Sequence, residues 1–163
     1  MPSNCILAID PGFDRLGVAV LTKEDNKEKL LFSECISTNP KDSRGKRLGV
    51  IGARVREIIE EWEPKSLAIE SLFFNKNTTS AIGVAEARGV IIYEAESHGL
   101  EISEYGPQAI KIAVTGYGKA DKVQIETMVR RLVKVPETKG KRLDDELDAI
   151  AVGITHLASR RAI

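Results

Sequence analysis

"ILAIDPGFDRLGVAVL", residues 6–21, is the stretch whose reading decides the fold. Two apolar runs flank Pro11-Gly12, the pattern of a strand, a turn and a second strand that pairs back as a hairpin. Asp10 breaks the pattern by standing where the first strand ends. A carboxylate at the edge of a buried strand costs free energy unless it is paired or holds a metal. No basic residue adjoins Asp10, so the rest of the chain must supply what it meets.

The periodicity continues outward from this hairpin. Strand 1 is expected over 4–10 and strand 2 over 16–22, followed by a polar loop, "EDNKEKL". "LLFSECIST" alternates as strand 3. Leu48, Ile51, Val55, Ile58, Ile59 and Trp62 recur at spacings of three and four, which predicts a helix from Lys46 to Trp62, stopped by Pro64. "KSLAIES" reads as strand 4 and also ends on an acid, Glu70. A helix from Thr79 to His98 follows, capped by Gly99. "LEISEYG" is strand 5, "PQAIKIAVTG" a short helix with Pro at its start, "GYGKADK" a glycine loop and "KVQIETMVRRLVKV" an amphipathic helix. After a basic loop, "PETKGKR", the last helix runs from Leu143 to Arg160. The order β-β-β-α-β-α-β-α-α-α implies an α/β fold: a five-stranded mixed sheet, its first three strands a meander, with helices on both faces. In such sheets the active crevice lies beyond the carboxyl ends of parallel strands. If strands 1 and 4 are parallel neighbours, Asp10 and Glu70 converge.

A chain of 163 residues is expected to form one domain, 1–163, with a substantial core. It has no run approaching a membrane span and no basic-then-apolar leader, so a cytoplasmic location is expected. Cys5 and Cys35 lie in strand-like segments and read as two buried thiols of a reducing compartment. Net charge is zero, yet the charges segregate. Residues 41–56 hold six basic residues and one acid, and residues 106–142 hold nine and three. A neutral molecule with segregated charge can present a basic face to a polyanion, although a solvated helix face is the default for any one cluster.

The last helix carries "LDDELDAIAVGITHLA". Asp145 and Asp148 are three apart and share a face, at the start of a strongly apolar stripe that must pack on the sheet. Acids in a first helical turn are favoured by the helix dipole, which suffices for Asp144, Asp145 or Glu146 alone but accounts less well for Asp148. Asp10, Glu70, Asp145 and Asp148 at one sheet end would repel one another without cations between them. All-oxygen donor sets suit Mg2+, with Mn2+ in its place, and no His/Cys cluster points to zinc. Two such ions can activate a water and stabilise the leaving oxygen in phosphodiester cleavage. Which acid would hold which ion stays open at this level.

"ILAIDPGFDRLGVAVL", "LAIESLFFNKNTTSAIGVAEARGV", "YGPQAIKIAVTGYGKADKVQI" and "DDELDAIAVGITH" resemble, in order and spacing, the motifs of RuvC-type Holliday-junction resolvases, over nearly the whole chain. The resemblance implies an RNase H-like fold and a homodimer that nicks two opposed strands of a four-way DNA junction symmetrically, with Mg2+, leaving 5′-phosphates. It implies catalytic and metal-binding roles for Asp10, Glu70, Asp145 and Asp148. Lys111 and Lys122 fall on basic positions that meet phosphates, and Phe73 on an aromatic position that stacks on a base near the crossover. A branch-migration helicase complex is the partner the family suggests.

Read from the residues alone, Lys111 is the one charge in "QAIKIAV", and Lys122 opens a helix whose N–H groups suit a phosphate. Phe73 and Phe74 follow strand 4 in a loop-like segment, where an exposed ring would stack on an unpaired base. Asp14 is expected to be a surface acid paired with Arg15, and His98 and His156 to be structural. The small residues Ala81, Gly83, Ala85, Ala87 and Gly89 imply close packing of the second helix, against either the core or a partner copy. Three other readings compete. A phosphate-cradling ATPase hairpin needs two lobes and leaves the helical acid pair without a role. A non-catalytic DNA-binding relative would lack one of the acids. A same-fold nuclease acting on other branched DNA or on RNA would keep them all.

Overall fold

The computed structural model describes residues 4–71, 78–135, 137 and 140–160. The element order is the expected one: β1 (Ile6–Asp10), β2 (Arg15–Glu24), β3 (Lys27–Ser37), α1 (Arg44–Trp62), β4 (Ser66–Glu70), α2 (Thr78–Ser97), β5 (Glu101–Tyr105), α3 (Pro107–Thr115), α4 (Lys122–Leu132) and α5 (Lys141–Ser159). The strands form one sheet in the order β3-β2-β1-β4-β5. β1, β2 and β3 pair antiparallel, whereas β1–β4 and β4–β5 are parallel.

Alternation along β1 divides the core in two. Leu7 and Ile9 join Leu67 and Ile69 of β4 under α1 and α2, against Ile51, Ile58, Ala87 and Ile91. Ile6 and Ala8 face the other way, with Ala68, against Ile110 of α3, Val129 of α4 and Leu147, Ile150 and Ile154 of α5. Asp10 continues that second register, which points it at α5. Leu7, Ile9, Leu67 and Ile69 are fully buried. Each such side chain contributes about 1.5–3 kcal/mol, so the strands can hold a costly carboxylate at their ends.

The structure corrects several boundaries. Residues 24–30 are not a loop. Asp25 (φ 50°) and Asn26 (φ 59°) make a two-residue turn of the kind that matches strand twist, so β2 runs to Glu24 and β3 starts at Lys27. α1 begins at Arg44 because the Ser43 side chain accepts a bond from the Lys46 N–H (3.2 Å), and it ends at Glu63 in the left-handed region, one residue before Pro64. α4 ends at Leu132 rather than Val135, and α5 starts two residues early, at Lys141, from a positive-φ Gly140.

α2 uses its small residues inward. Ala87 is fully buried, and a Cβ on Gly83 would lie 3.2 Å from Phe13. Gly89 is exposed, with open space around it.

Candidate active site

Sheet register carries the first two acids together. Asp10 opposes Gly17 on β2, and Gly17 opposes Cys35 on β3. Ile9 pairs with Ile69, so Glu70 stands next to Asp10 across the parallel pair, and Glu70 opposes Tyr105 on β5. Cys35, Gly17, Asp10, Glu70 and Tyr105 thus form one row across all five strands. Ala8 and Ala68 lie in the core on the α5 side, and Asp10 and Glu70, two residues on, share their face.

α5 supplies the other two acids through two glycine contacts. A Cβ on Gly17 would lie 1.8 Å from the Asp145 carbonyl oxygen, and one on Gly153 would lie 2.4 Å from Leu21 Cδ1. Without side chains at those points the helix settles directly on β1 and β2. Carboxylate oxygens of Asp10, Asp145 and Asp148 then lie within 4.8 Å of one another. Glu70 is not part of that triad, but its charge bears on both Asp10 and Asp148.

The crowding is visible in the acidities. Burial, reinforced by the charges of Asp148, Glu70 and Asp145, pushes the Asp10 carboxyl up from its ordinary 3.8 to about 9. Burial also raises Asp148, to about 6. The Lys122 charge opposes that rise, and Glu70, Asp145 and Asp144 add to it. A donor set of carboxylate oxygens this close, short of positive charge, fits a hard divalent cation. Cys35 is no ligand in this set. Burial first, and then the Asp145 charge, hold its thiol above the usual range, and its Sγ donates to Asp145 Oδ2 (3.6 Å). It is half-buried, whereas Cys5 is buried as expected and donates to the Trp62 carbonyl (3.2 Å).

Cations flank the acids. Lys122 is the first residue of α4, whose start is fixed by reciprocal bonds between Asp121 and Gln124. Its Nζ is 3.8 Å from Asp144 Oδ2. Arg15 Nε is 2.7 Å from Asp145 Oδ2, a pairing that the sequence reading missed. A signal was available: Arg15 lies two residues before Gly17 and therefore on the face that meets Asp145. Asp14 pairs with the buried Arg47 and not with Arg15. Arg47 also donates to Thr38 Oγ1 (2.9 Å) and lies 4.0 Å from the centroid of the Phe13 ring, so it pins the β1–β2 turn.

Lys111 sits half-buried in α3, and among the described residues no ion pair joins it to the acids. Phe73 lies outside the described residues. The histidines are structural. His156 is buried between Ser66 Oγ (2.9 Å) and Tyr105 Oη (2.7 Å), and His98 Nδ1 bonds the Glu94 carbonyl (2.8 Å). The basic run at 41–56 is largely neutralised within the fold: Arg44 pairs with Glu86, Lys46 with Asp42, Arg47 with Asp14, Arg54 with Glu34 and Glu57, and Arg56 with Glu94. Lys111, Lys119, Arg130, Arg131 and Lys134 have no such partner among the described residues.

The comparisons agree with this geometry. A family model described as "Crossover junction endodeoxyribonuclease RuvC" matches residues 6–156. Curated relatives of that name include one from Alkaliphilus metalliredigens, 42% identical over 94% of this chain and 93% of its own length. Another, from Petrotoga mobilis, is 43% identical over 96% and 95%. The solved structure of Thermus thermophilus RuvC in complex with a Holliday junction substrate superposes with a TM-score of 0.86 at 32% identity, covering 94% of this chain and 93% of that one. The yeast mitochondrial Holliday junction resolvase Ydc2 shares the fold at a TM-score of 0.70, 12% identity and coverage of 97% and 80%. By the family match and by identity over nearly its whole length, the chain belongs to the RuvC family of crossover junction endodeoxyribonucleases.

Proposed function

We propose that the chain resolves four-way DNA junctions in recombination and repair, nicking two opposed strands at a site built from Asp10, Glu70, Asp145 and Asp148. The observation that carries this reading is the three-carboxylate cluster at the end of a parallel strand pair, with one oxygen from each acid within 4.8 Å of the others. Asp10, Asp145 and Asp148 would hold Mg2+, or Mn2+ in its place, with Glu70 alongside. When bound, such ions supply an activated water and a counter-charge for the leaving oxygen. In the reaction, water oxygen bonds to phosphorus and the P–O3′ bond breaks, leaving a 5′-phosphate and a 3′-hydroxyl.

The chain's own groups bind and orient the substrate. Lys122 neutralises charge beside Asp148 and meets a backbone phosphate, helped by the N–H groups of the first α4 turn. Lys111 extends that phosphate track along α3, and Phe73 stacks on a base next to the crossover.

Two opposed nicks need two sites related by a two-fold axis, hence a homodimer. Ile82 and Tyr93 are exposed on α2, three turns apart on one side, with the open Gly89 between them, a face that suits a second copy. A branch-migration helicase complex is the working partner this activity calls for. No helix among the described residues is long and apolar enough to cross a membrane, and a genomic substrate places the work in the cytoplasm.

The test is an immobile four-way junction incubated with the purified protein and Mg2+, with and without chelator, beside a flap and an RNA–DNA hybrid. Paired nicks confined to the junction, abolished by chelator, are expected. Equal cleavage of the hybrid, or nicking that survives chelation, refutes the reading.

A further inference from the structure

Asp145 belongs to the carboxylate cluster and is also the anchor of an arginine whose reach is not used up. Arg15 is the first residue of β2 and is 42% exposed in its side chain. Its Nε is 2.7 Å from Asp145 Oδ2. Among the described residues no hydrogen bond engages its two Nη groups, so the outer fork of the guanidinium keeps donors to offer. Register places it on the same sheet face as Gly17 and Asp10, one step beyond the row that holds the acids. The turn that leads into it is anchored by Arg47 through Asp14, Thr38 and Phe13. Arg15 is therefore a cation on a fixed base, at the rim of the carboxylate cluster. Lys122 sits beside Asp144 and Asp148 on the side of α4.

We propose that Arg15 is a substrate-contacting residue of the same site, using its Nη donors to grip a DNA phosphate next to the scissile one. Arginine suits this task because its planar fork donates to two phosphate oxygens at once while Nε keeps its bond to Asp145. The strand would then pass between two cations, Arg15 toward β3 and Lys122 on α4, with the acids beneath. This proposal rests on the resolvase reading above.

The experiment separates the two. Junction binding is measured at a series of salt concentrations in the Asp10→Asn background with Mg2+, with and without Arg15→Gln or Arg15→Lys. A lost phosphate contact lowers the slope of log K against log[salt] by about one per site. The affinity lost through Arg15→Gln is then greater at 20 mM than at 200 mM salt by roughly eightfold for each site engaged, or about sixtyfold when both sites of a dimer are. Arg15→Lys, which keeps a point charge, restores most of the slope. Mn2+-dependent thermal stabilisation of the Arg15→Gln protein stays close to that of the parent, because the ligand oxygens themselves are untouched. An unchanged salt slope overturns the assignment, and if the Mn2+ response is lost at the same time, Arg15 acts only by holding Asp145. Failure of the unsubstituted protein to nick a junction would instead sink the resolvase reading.

Discussion

Replacing Asp10 by Asn should make the metal-free protein more stable. Asp10 is ionised in the unfolded chain at pH 7, whereas burial and three neighbouring carboxylates hold its folded-state pKa near 9. Keeping that proton at pH 7 costs ~4 kcal/mol, from a shift above 3.8 at 1.36 kcal/mol per pH unit. Relaxation of the neighbours and entry of water lower the gain from a neutral isostere to about 2 kcal/mol. For a domain of this size that is roughly 4–8 °C in Tm. The sign can be checked through pH. A raised carboxyl pKa gives stability that is fully present below the unfolded value and is lost as pH rises through the folded one. Between pH 7 and 9, above the range in which Asp148 and His156 titrate, the unsubstituted protein should lose about 2 kcal/mol. The Asp10→Asn curve should fall much less there, only through the raised thiols of Cys5 and Cys35. Urea unfolding in chelator at pH 7, 8 and 9 reads both quantities. An Asn variant no more stable at pH 7, with the same pH slope as the parent, would refute the crowding argument.

Other outcomes follow from the same geometry. Saturating Mg2+ should raise the unfolding free energy of the unsubstituted protein by ~3 kcal/mol at a hundred times its Kd, and by much less in Asp10→Asn or Asp148→Asn, as read by thermal shift. Lys122→Gln should raise the carboxyl pKa of Asp148 further, because the Lys122 charge is what opposes its rise, and carbon-13 NMR titration of the carboxyls would show it. His156→Ala leaves Ser66 Oγ and Tyr105 Oη without their shared partner and should cost about 2–4 kcal/mol in urea unfolding. Gly17→Val should abolish cleavage while far-UV circular dichroism still reports strands and helices, since its Cβ would stand 1.8 Å from the Asp145 carbonyl oxygen and lift α5 off the sheet.

Much of the candidate site is legible in the sequence. Asp10 and Glu70 stood out because each ends an apolar run, and Asp145 and Asp148 because their spacing puts both on one side of an apolar helix. Those signals are local, carried by periods of two and of three to four residues. The errors were local too. Asp25 and Asn26 looked like part of a long polar loop, although both residue types tolerate the positive φ that a two-residue turn demands. The polarity of residues 24–30 hid the continuing strands, because β2 and β3 are exposed where they leave the core.

The pairings were a different matter. Adjacency in sequence pairs Arg15 with Asp14, yet Arg15 reaches Asp145, 130 positions along the chain, while Asp14 turns to Arg47. The basic run at 41–56 is compatible in sequence with either a solvated helix face or a surface for a polyanion, and the fold places an acid against most of it. Sequence alone determined which residues are candidates for the chemistry and on which kind of element they stand, because hydrophobic period and strand ends are written in neighbouring letters. Only the tertiary structure decided that Cys35, Gly17, Asp10, Glu70 and Tyr105 share a row, and which cation serves which acid. Register between distant strands and the clearance under α5 are set by packing across the whole sheet, and a distance of a few ångströms there separates an ion pair from two solvated charges.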